Sequence, residues 1–236
     1  MNSLITVGVS THGKRRKWLQ DAIDSMYYLN NDILFDLIVV DNASEDDTSK
    51  YLYQLKTKKN LSIISNSENF DDTIAMNQIL AMVLSKYFLK VDSDVIFFEH
   101  RCISESILRL EQLGVSLIGP YWDLSLTRKE ELFNWPGYKK SKALIKECMD
   151  LVQCVNPHFD VTMRLPRGNF ILMKTSDIAS IGGFDEIYKH NAMEYPLIMR
   201  LLESGLDYSE YSNAGIIHKP SDEQRLLMRK IVPYTF

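Results

Sequence analysis

Asp92 and Asp94 stand one residue apart in YFLKVDSDVIFFEH (87–100), where an apolar run reaches two carboxylates and then turns apolar again. Carboxylates are costly to bury unless they are paired or hold a metal. Hard divalent ions such as Mg2+ and Mn2+ take carboxylate oxygens and substrate phosphates into one coordination shell. Two carboxylates at a strand end, separated by the small Ser93, can serve both metal and nucleotide. A strand that simply ends early, with its aspartates in water, is the alternative reading.

The elements around this pair decide where it sits. Leu4–Val9 reads as a β-branched strand, and Lys17–Leu29 has helical spacing through Leu19, Ile23 and Met26. FDLIVVD is a second buried strand ending at Asp41. In SEDDTSKYLYQLK, Ser44 with Asp47 forms a capping-box pattern ahead of a helix. LSIISN is a third strand, Thr73–Ser85 a helix and YFLKVD a fourth strand. Alternating helices and continuously apolar strands predict an α/β fold with a mostly parallel central sheet covered by helices on both faces. Ligands bind such sheets beyond the carboxyl ends of the strands. Ser10, Asp41, Asn66 and Asp92 all fall at those ends.

The second half is less regular. Ile103–Leu113 reads as a helix, VSLIGPYW as a strand, GNFILMKTSDIASIGGFDE as strand, short helix and Gly-Gly turn, and EYPLIMRLLESG as a helix. YSEYSNAGIIHK reads as one last strand and DEQRLLMRKIV as a terminal amphipathic helix. Leu124–Arg164 receives no assignment.

The bulk properties narrow the class. The chain has 236 residues, 45% hydrophobic and 25% charged, with a net charge of -4, so no global basic field argues for nucleic acid. Cys102, Cys148 and Cys154 show neither metal-ligand spacing nor an even framework, which fits a reducing compartment. No apolar stretch is long enough to span a bilayer. The expected location is the cytoplasm, compatible with peripheral contact at the inner membrane face.

VSTHGKRRKWLQDAIDSM, DLIVVDNASEDDTSKYL, FLKVDSDV and GNFILMKTSDIASIGGFDE fall in the order and rough spacing of family 2-like glycosyltransferases with the GT-A fold. The chain resembles that family from Leu4 to about His218. The resemblance implies one GT-A domain over 1–236, with a nucleotide-binding half (1–100) and an acceptor-binding half (101–236). It implies a UDP- or GDP-linked sugar donor, Mn2+ or Mg2+ as cofactor, and a glycan, lipid-linked or protein acceptor. Ser10, Thr11 and His12 match the loop that contacts the base, with His12 where the family often has Tyr; a surface-loop histidine is the alternative. Lys14 matches a basic position near the nucleotide, while Arg15, Arg16 and Lys17 read as a solvated cluster. Asp41 matches the aspartate that reads the base, or is a turn residue before Asn42. Asp92 and Ser93 would face the ribose, Asp92 and Asp94 the metal. His218 matches a late histidine of the metal shell, and an imidazole beside carboxylates suits Mn2+ better than Mg2+.

The family has an acidic pair before an apolar helix and an Arg. Counting back from Arg200 puts Glu194 at its second position and Met193 at its first. Glu194 would then be the general base of an inverting transfer; a first-turn glutamate favoured by the helix dipole is the alternative. Asp185 and Glu186 of GGFDE would position the acceptor loop. Lys219 and Arg225 could neutralise a diphosphate or face solvent, and Trp122, Trp135 and Tyr138 could form a sugar platform or pack in the core. The family's Gly-rich segment is absent; NSENFDDTIAMNQ carries Asp71 and Asp72 there.

Two other functions compete. VDSDV also fits the DxDx(T/V) nucleophile of phosphohydrolases, although three strands precede it here and such enzymes carry it on the first. A non-catalytic nucleotide-sugar-binding module would use the same scaffold. A dehydrogenase is disfavoured because no G-x-G-x-x-G follows a strand.

Overall fold

The computed structural model describes residues 3–120, 166–187, 193–211 and 215–218, with single positions 222, 225, 226 and 230. Nine strands and six helices can be followed among these residues: β1 Ile5–Thr11, α1 Arg16–Leu29, β2 Phe35–Asn42, α2 Thr48–Lys56, β3 Leu61–Asn66, α3 Asp71–Leu80, β4 Tyr87–Asp92, β5 Val95–Phe97, α4 Cys102–Leu113, β6 Leu117–Pro120, β7 Phe170–Lys174, α5 Thr175–Ser180, α6 Glu194–Glu203, β8 Tyr208–Tyr211 and β9 Ile216–His218.

Seven strands form one sheet in the order β3-β2-β1-β4-β7-β6-β8. The β3-β2-β1-β4 half is parallel, and β7 runs antiparallel to both β4 and β6. Alternate residues of each strand feed two cores, as the two-residue period of a strand requires. Val7, Val9, Leu37, Val39, Leu89, Val91, Phe170 and Leu172 join α1, α2 and α4 on one face. Ile38, Val40, Phe88, Ile171 and Met173 join α3, α5 and α6 on the other. The α/β architecture read from the sequence is the one observed.

Register sets the functional edge. Ser10 is level with Val40 and Asp92, Thr11 with Asp41, Asp41 with Ser65, and Asn42 with Asn66. Because β7 is antiparallel, its beginning reaches the same edge, and the Asp92 amide donates to the Asn169 carbonyl at 3.0 Å.

Several local expectations are corrected. The α2 start is not capped by Ser44 and Asp47: the Asp46 carboxylate accepts the Thr48 amide at 3.0 Å and the Thr48 hydroxyl, and also the Arg16 amide at 3.0 Å. Asp46 can do this because it is two residues from Thr48 and faces the start of α1, so one side chain serves two helix ends. The α3 helix begins at Asp71 and ends at Leu80, short of Ser85, where the Ser85 hydroxyl turns inward to Thr6 at 2.8 Å. The last strand is two strands in different sheets. β8 extends the main sheet beside β6, while β9 pairs antiparallel with β5. Leu124–Arg164, Trp122, Trp135, Tyr138, Cys148, Cys154 and Lys219 lie outside the described residues.

Candidate metal and active site

Asp92 ends β4, Asp94 closes the two-residue turn into β5, and β9 runs back along β5 with His218 level with Val95. That pairing brings a residue more than a hundred positions away to the aspartate pair. His218 Nε2 lies 3.3 Å from Asp94 Oδ1 and 3.7 Å from Asp92 Oδ2. One ligand atom from each of the three residues falls within 4.8 Å of the others. The small β5–β9 sheet is itself anchored: the Phe97 amide donates to Ser25 Oγ of α1 at 3.1 Å, and the Phe98 amide to the Gly215 carbonyl at 2.9 Å.

The donor set of two carboxylates and an imidazole fits a divalent transition ion such as Mn2+. The charge balance fits it as well. Burial raises the Asp92 pKa; Lys90 opposes this, the Asp72 carboxylate adds to it, and the net shift is upward. A divalent cation would supply the positive charge that Lys90 alone does not.

Lys90 was not singled out in the sequence, where it reads as one residue of an apolar strand. It is 2% exposed. Its ammonium touches Asp92, the Gly168 carbonyl and, at 3.3 Å, Asp72. Burial alone would lower its pKa, but Asp72, Asp92 and Glu194 outweigh burial and raise it, so the group is cationic. Asp72, in the first turn of α3, also accepts the Ser10 hydroxyl. Burial pushes the Asp72 pKa up, yet Lys90, Ser10 and the nearby His12 bring it down overall. The signal for Lys90 was available in principle: a lysine two residues before Asp92 on a strand shares its face.

The remaining expected residues divide. Thr11 and Ser93 are buried at the edge, and the Thr11 hydroxyl has no hydrogen-bond partner among the described residues. Lys14 is exposed in the β1–α1 loop, and His12 is half-buried there. Asp41 is 5% exposed and accepts the Ser44 amide at 2.9 Å, so it does form a turn. Asn66 donates to Asn42 at 2.6 Å and exchanges amide hydrogen bonds with Gln78. The solvated reading of the basic cluster is corrected for two members. Arg15 lies 3.7 Å from Asp94, and Arg16 stacks 3.6 Å above the Tyr51 ring while donating to Gln20. Arg225 neither faces solvent nor reaches toward the metal trio. It grips Asp21 of α1 through Nε and Nη2, both at 2.7 Å, and lies 4.3 Å above the Trp18 ring.

Glu194 opens α6 across the edge from the trio. Burial raises its carboxyl pKa to about 7; its own amide, Lys90 and the Gly168 amide hold the value down and Asp92 lifts it. The turn before α6 is clamped from two sides. Asn77 donates to the Phe184 carbonyl and to Glu186, both at 2.9 Å, and accepts the Phe184 amide at 2.8 Å. Arg200 donates to the Ile181 carbonyl at 3.0 Å and to the Gly183 carbonyl. Glu186 thus braces the GGFDE turn, and Asp185 caps it by accepting the Ile187 amide at 3.0 Å.

The family model described as glycosyl transferase family 2 matches residues 6–165. The chain belongs to glycosyl transferase family 2. Its fold is that of solved GT-A relatives. A mannosyltransferase, PcManGT from Pyrobaculum calidifontis in complex with GDP-Man and Mn2+, superposes with a TM-score of 0.67 at 15% identity, covering 97% of this chain and 60% of that one. S. aureus TarS 1-349 in complex with UDP-GlcNAc gives 0.63 at 15% identity, over 96% of this chain and 61% of that one. The chain thus spans about three-fifths of the length of these two structures. No curated protein matches the sequence significantly. Among the described residues of this glycosyltransferase domain, no helix is long and apolar enough to cross a membrane.

Proposed function

We propose that the chain is a metal-dependent, inverting glycosyltransferase that moves a sugar from a UDP- or GDP-linked donor to a hydroxyl on a glycan, lipid-linked or protein acceptor. The observation that carries this reading is the pairing, at one sheet edge of a family 2 chain, of an Asp92–Asp94–His218 ligand set with a glutamate whose pKa is raised to about 7. Residues 1–100 supply the donor half and 101–236 the acceptor half. PcManGT in complex with GDP-Man and Mn2+ supports the donor class and the ion.

In this mechanism Asp92, Asp94 and His218 hold Mn2+ or Mg2+. When bound, the ion acts as a Lewis acid that offsets the charge of the leaving diphosphate. Ser10, Thr11, His12, Lys14 and Asp41 form the base and phosphate side of the donor pocket, with Ser93 and Asp92 at the ribose. Asp41 has a second carboxylate oxygen beyond the one that holds the Ser44 amide, and it can accept a ring N–H. Lys90 holds Asp92 in place and partly offsets the cost of its burial. Glu194 removes the acceptor hydroxyl proton as the oxygen attacks the anomeric carbon. A base with a pKa near 7 is matched to this task at neutral pH. With base and leaving group on opposite faces of the sugar, one displacement inverts the anomeric centre.

The phosphohydrolase alternative has no support in the family match, and VDSDV follows three earlier strands, running from the end of β4 into β5. The binding-module alternative is met by the test. Glu194→Gln should lower kcat by roughly 10²–10⁴-fold with donor affinity nearly unchanged, since general-base assistance is worth about that much. NMR of the product should show a β-linkage from an α-linked donor. A wild-type turnover in the variant removes Glu194 from the mechanism, retention of configuration overturns the single displacement, and donor binding without turnover on any acceptor marks a binding module.

A further inference from the structure

Six glycines among the described residues have a positive φ, at positions 13, 114, 182, 183, 205 and 215, which accounts for their identity by backbone conformation. Gly168 is not among them. Its reason is spatial. A Cβ built on Gly168 would lie 2.7 Å from Glu194 Oε2 and 3.2 Å from Glu194 Cδ, inside the contact distance of real carbon atoms. The carboxylate therefore rests where any other residue would carry its side chain.

Gly168 is itself fixed. It lies in the turn closed by the Phe170 amide on the Arg167 carbonyl at 3.4 Å, and the Arg167 amide donates to the Pro120 carbonyl at 2.8 Å. Its own carbonyl accepts the Lys90 ammonium, and its backbone lies close enough to the Glu194 carboxylate to help hold that carboxyl's pKa down. The next residue, Asn169, accepts the Asp92 amide. So one two-residue segment touches the candidate metal ligand, the buried lysine and the candidate base.

We propose that Gly168, held by Lys90, is a positioning residue that seats the Glu194 carboxylate and sets its distance from the metal-ligand edge. The proposal rests on the reading of Glu194 as the base. The absent side chain is the working feature: it lets the carboxylate lie flat on the turn, within reach of its amide, while the lysine prevents the turn from tilting away. A methyl group at 168 would lift the carboxylate and leave the donor side untouched. Misplacing a reacting group by about 1 Å can cost up to about 100-fold in rate.

The test is a double-mutant cycle with Glu194→Gln. Gly168→Ala should lower kcat at least ~10-fold, with donor and Mn2+ dissociation constants within about twofold of wild type. In the Glu194→Gln background the same substitution should cost nothing further, because residues that act as a unit are non-additive. Wild-type turnover of Gly168→Ala, or losses that multiply in the double variant, would overturn the proposal. If Gly168→Ala does not fold by circular dichroism, Lys90→Met takes its place; its loss must shrink in the Glu194→Gln background, and an equal loss in both backgrounds overturns the proposal. A Glu194→Gln enzyme at wild-type rate overturns the base reading and this proposal together. An impaired Glu194→Gln enzyme beside an unimpaired Gly168→Ala enzyme overturns this proposal alone.

Discussion

Ser10, Asp41 and Asp92 reach the functional edge because adjacent parallel strands end in register. Glu194 reaches it by a different route: side chains from α3, β4 and α6 hold a turn and a helix start in place. On the side proposed to bind the donor the backbone ladder does the positioning, and the polar strand ends sit at the end of a continuous apolar core. Around Glu194 the positioning groups are a few polar side chains, Lys90 buried and Asn77 and Arg200 half-buried. His218 belongs between the two, carried by a two-stranded ladder but delivered from the far end of the chain. The donor edge should therefore lose function cleanly when a ligand is removed, whereas the acceptor edge should lose function and stability together when a clamp is removed.

The largest effect that would test this contrast is Asp94→Ala. It should abolish metal-dependent nucleotide binding and turnover, with the thermal midpoint of the metal-free protein changed little. EDTA should do the same to wild type, and added Mn2+ should restore it; full activity in EDTA would end the metal assignment.

The pH response of Glu194 comes next. With a folded pKa raised to about 7, kcat should fall on the acid side with a midpoint near pH 7. The stability effect has the opposite sense. A carboxyl whose pKa is raised on folding binds more protons in the native state, so its contribution is fully present below the ordinary glutamate value and is lost as pH rises through about 7. Glu194→Gln should therefore be the less active protein and, at pH 8, the more heat-stable one, which calorimetry at pH 5 and pH 8 would show. A variant less stable at pH 8 would mean that the burial of Glu194 is not the cause.

Asn77→Ala probes the clamp. It strands the amide and carbonyl of Phe184, and should cost about 2 kcal/mol or more in denaturant unfolding, since each of these two part-buried bonds lost costs at least about 1 kcal/mol. It should also lower turnover while leaving nucleotide affinity near wild type. Nucleotide affinity falling in parallel would erase the distinction between the two edges.

Asp41→Asn should give the smallest and cleanest change. The amide oxygen still accepts the Ser44 amide, so stability should hold, while loss of the charge should weaken donor binding by about 1–3 kcal/mol in calorimetry. Unchanged affinity would leave Asp41 as a turn residue only.

Much of the donor edge was legible in the sequence. Continuous apolar runs such as FDLIVVD identify buried parallel strands without any tertiary knowledge, and the rule that ligands gather at their carboxyl ends then selects Ser10, Asp41 and Asp92. The aspartate pair was equally plain, because carboxylates beside an apolar strand need a reason to be there. The helix limits were read less well. The α3 pattern continues past Leu80 in the sequence, yet the helix stops there, because tertiary contacts such as Thr6–Ser85 compete with helical spacing. The reading of YSEYSNAGIIHK as one strand failed for a related reason: composition does not say which neighbour a strand pairs with, and here its two parts pair with β6 and β5 in separate sheets.

By itself, the sequence determined what is local: the strand and helix order, the strand-end polar residues, the Asp92–Asp94 pair, and Glu194 at a helix start. Tertiary structure alone decided which distant groups meet. It set Lys90 between Asp72, Asp92 and Gly168, turned Arg225 onto Asp21 and Trp18, brought Arg15 near Asp94, and left room at Gly168 for a carboxylate. The physical reason is one of range. Hydrophobic periodicity and backbone preference act over a few residues and leave a repeating trace in the sequence, whereas a buried ion pair or a missing Cβ is specified by a single residue whose partner, up to two hundred positions away, is fixed only when the sheet has closed.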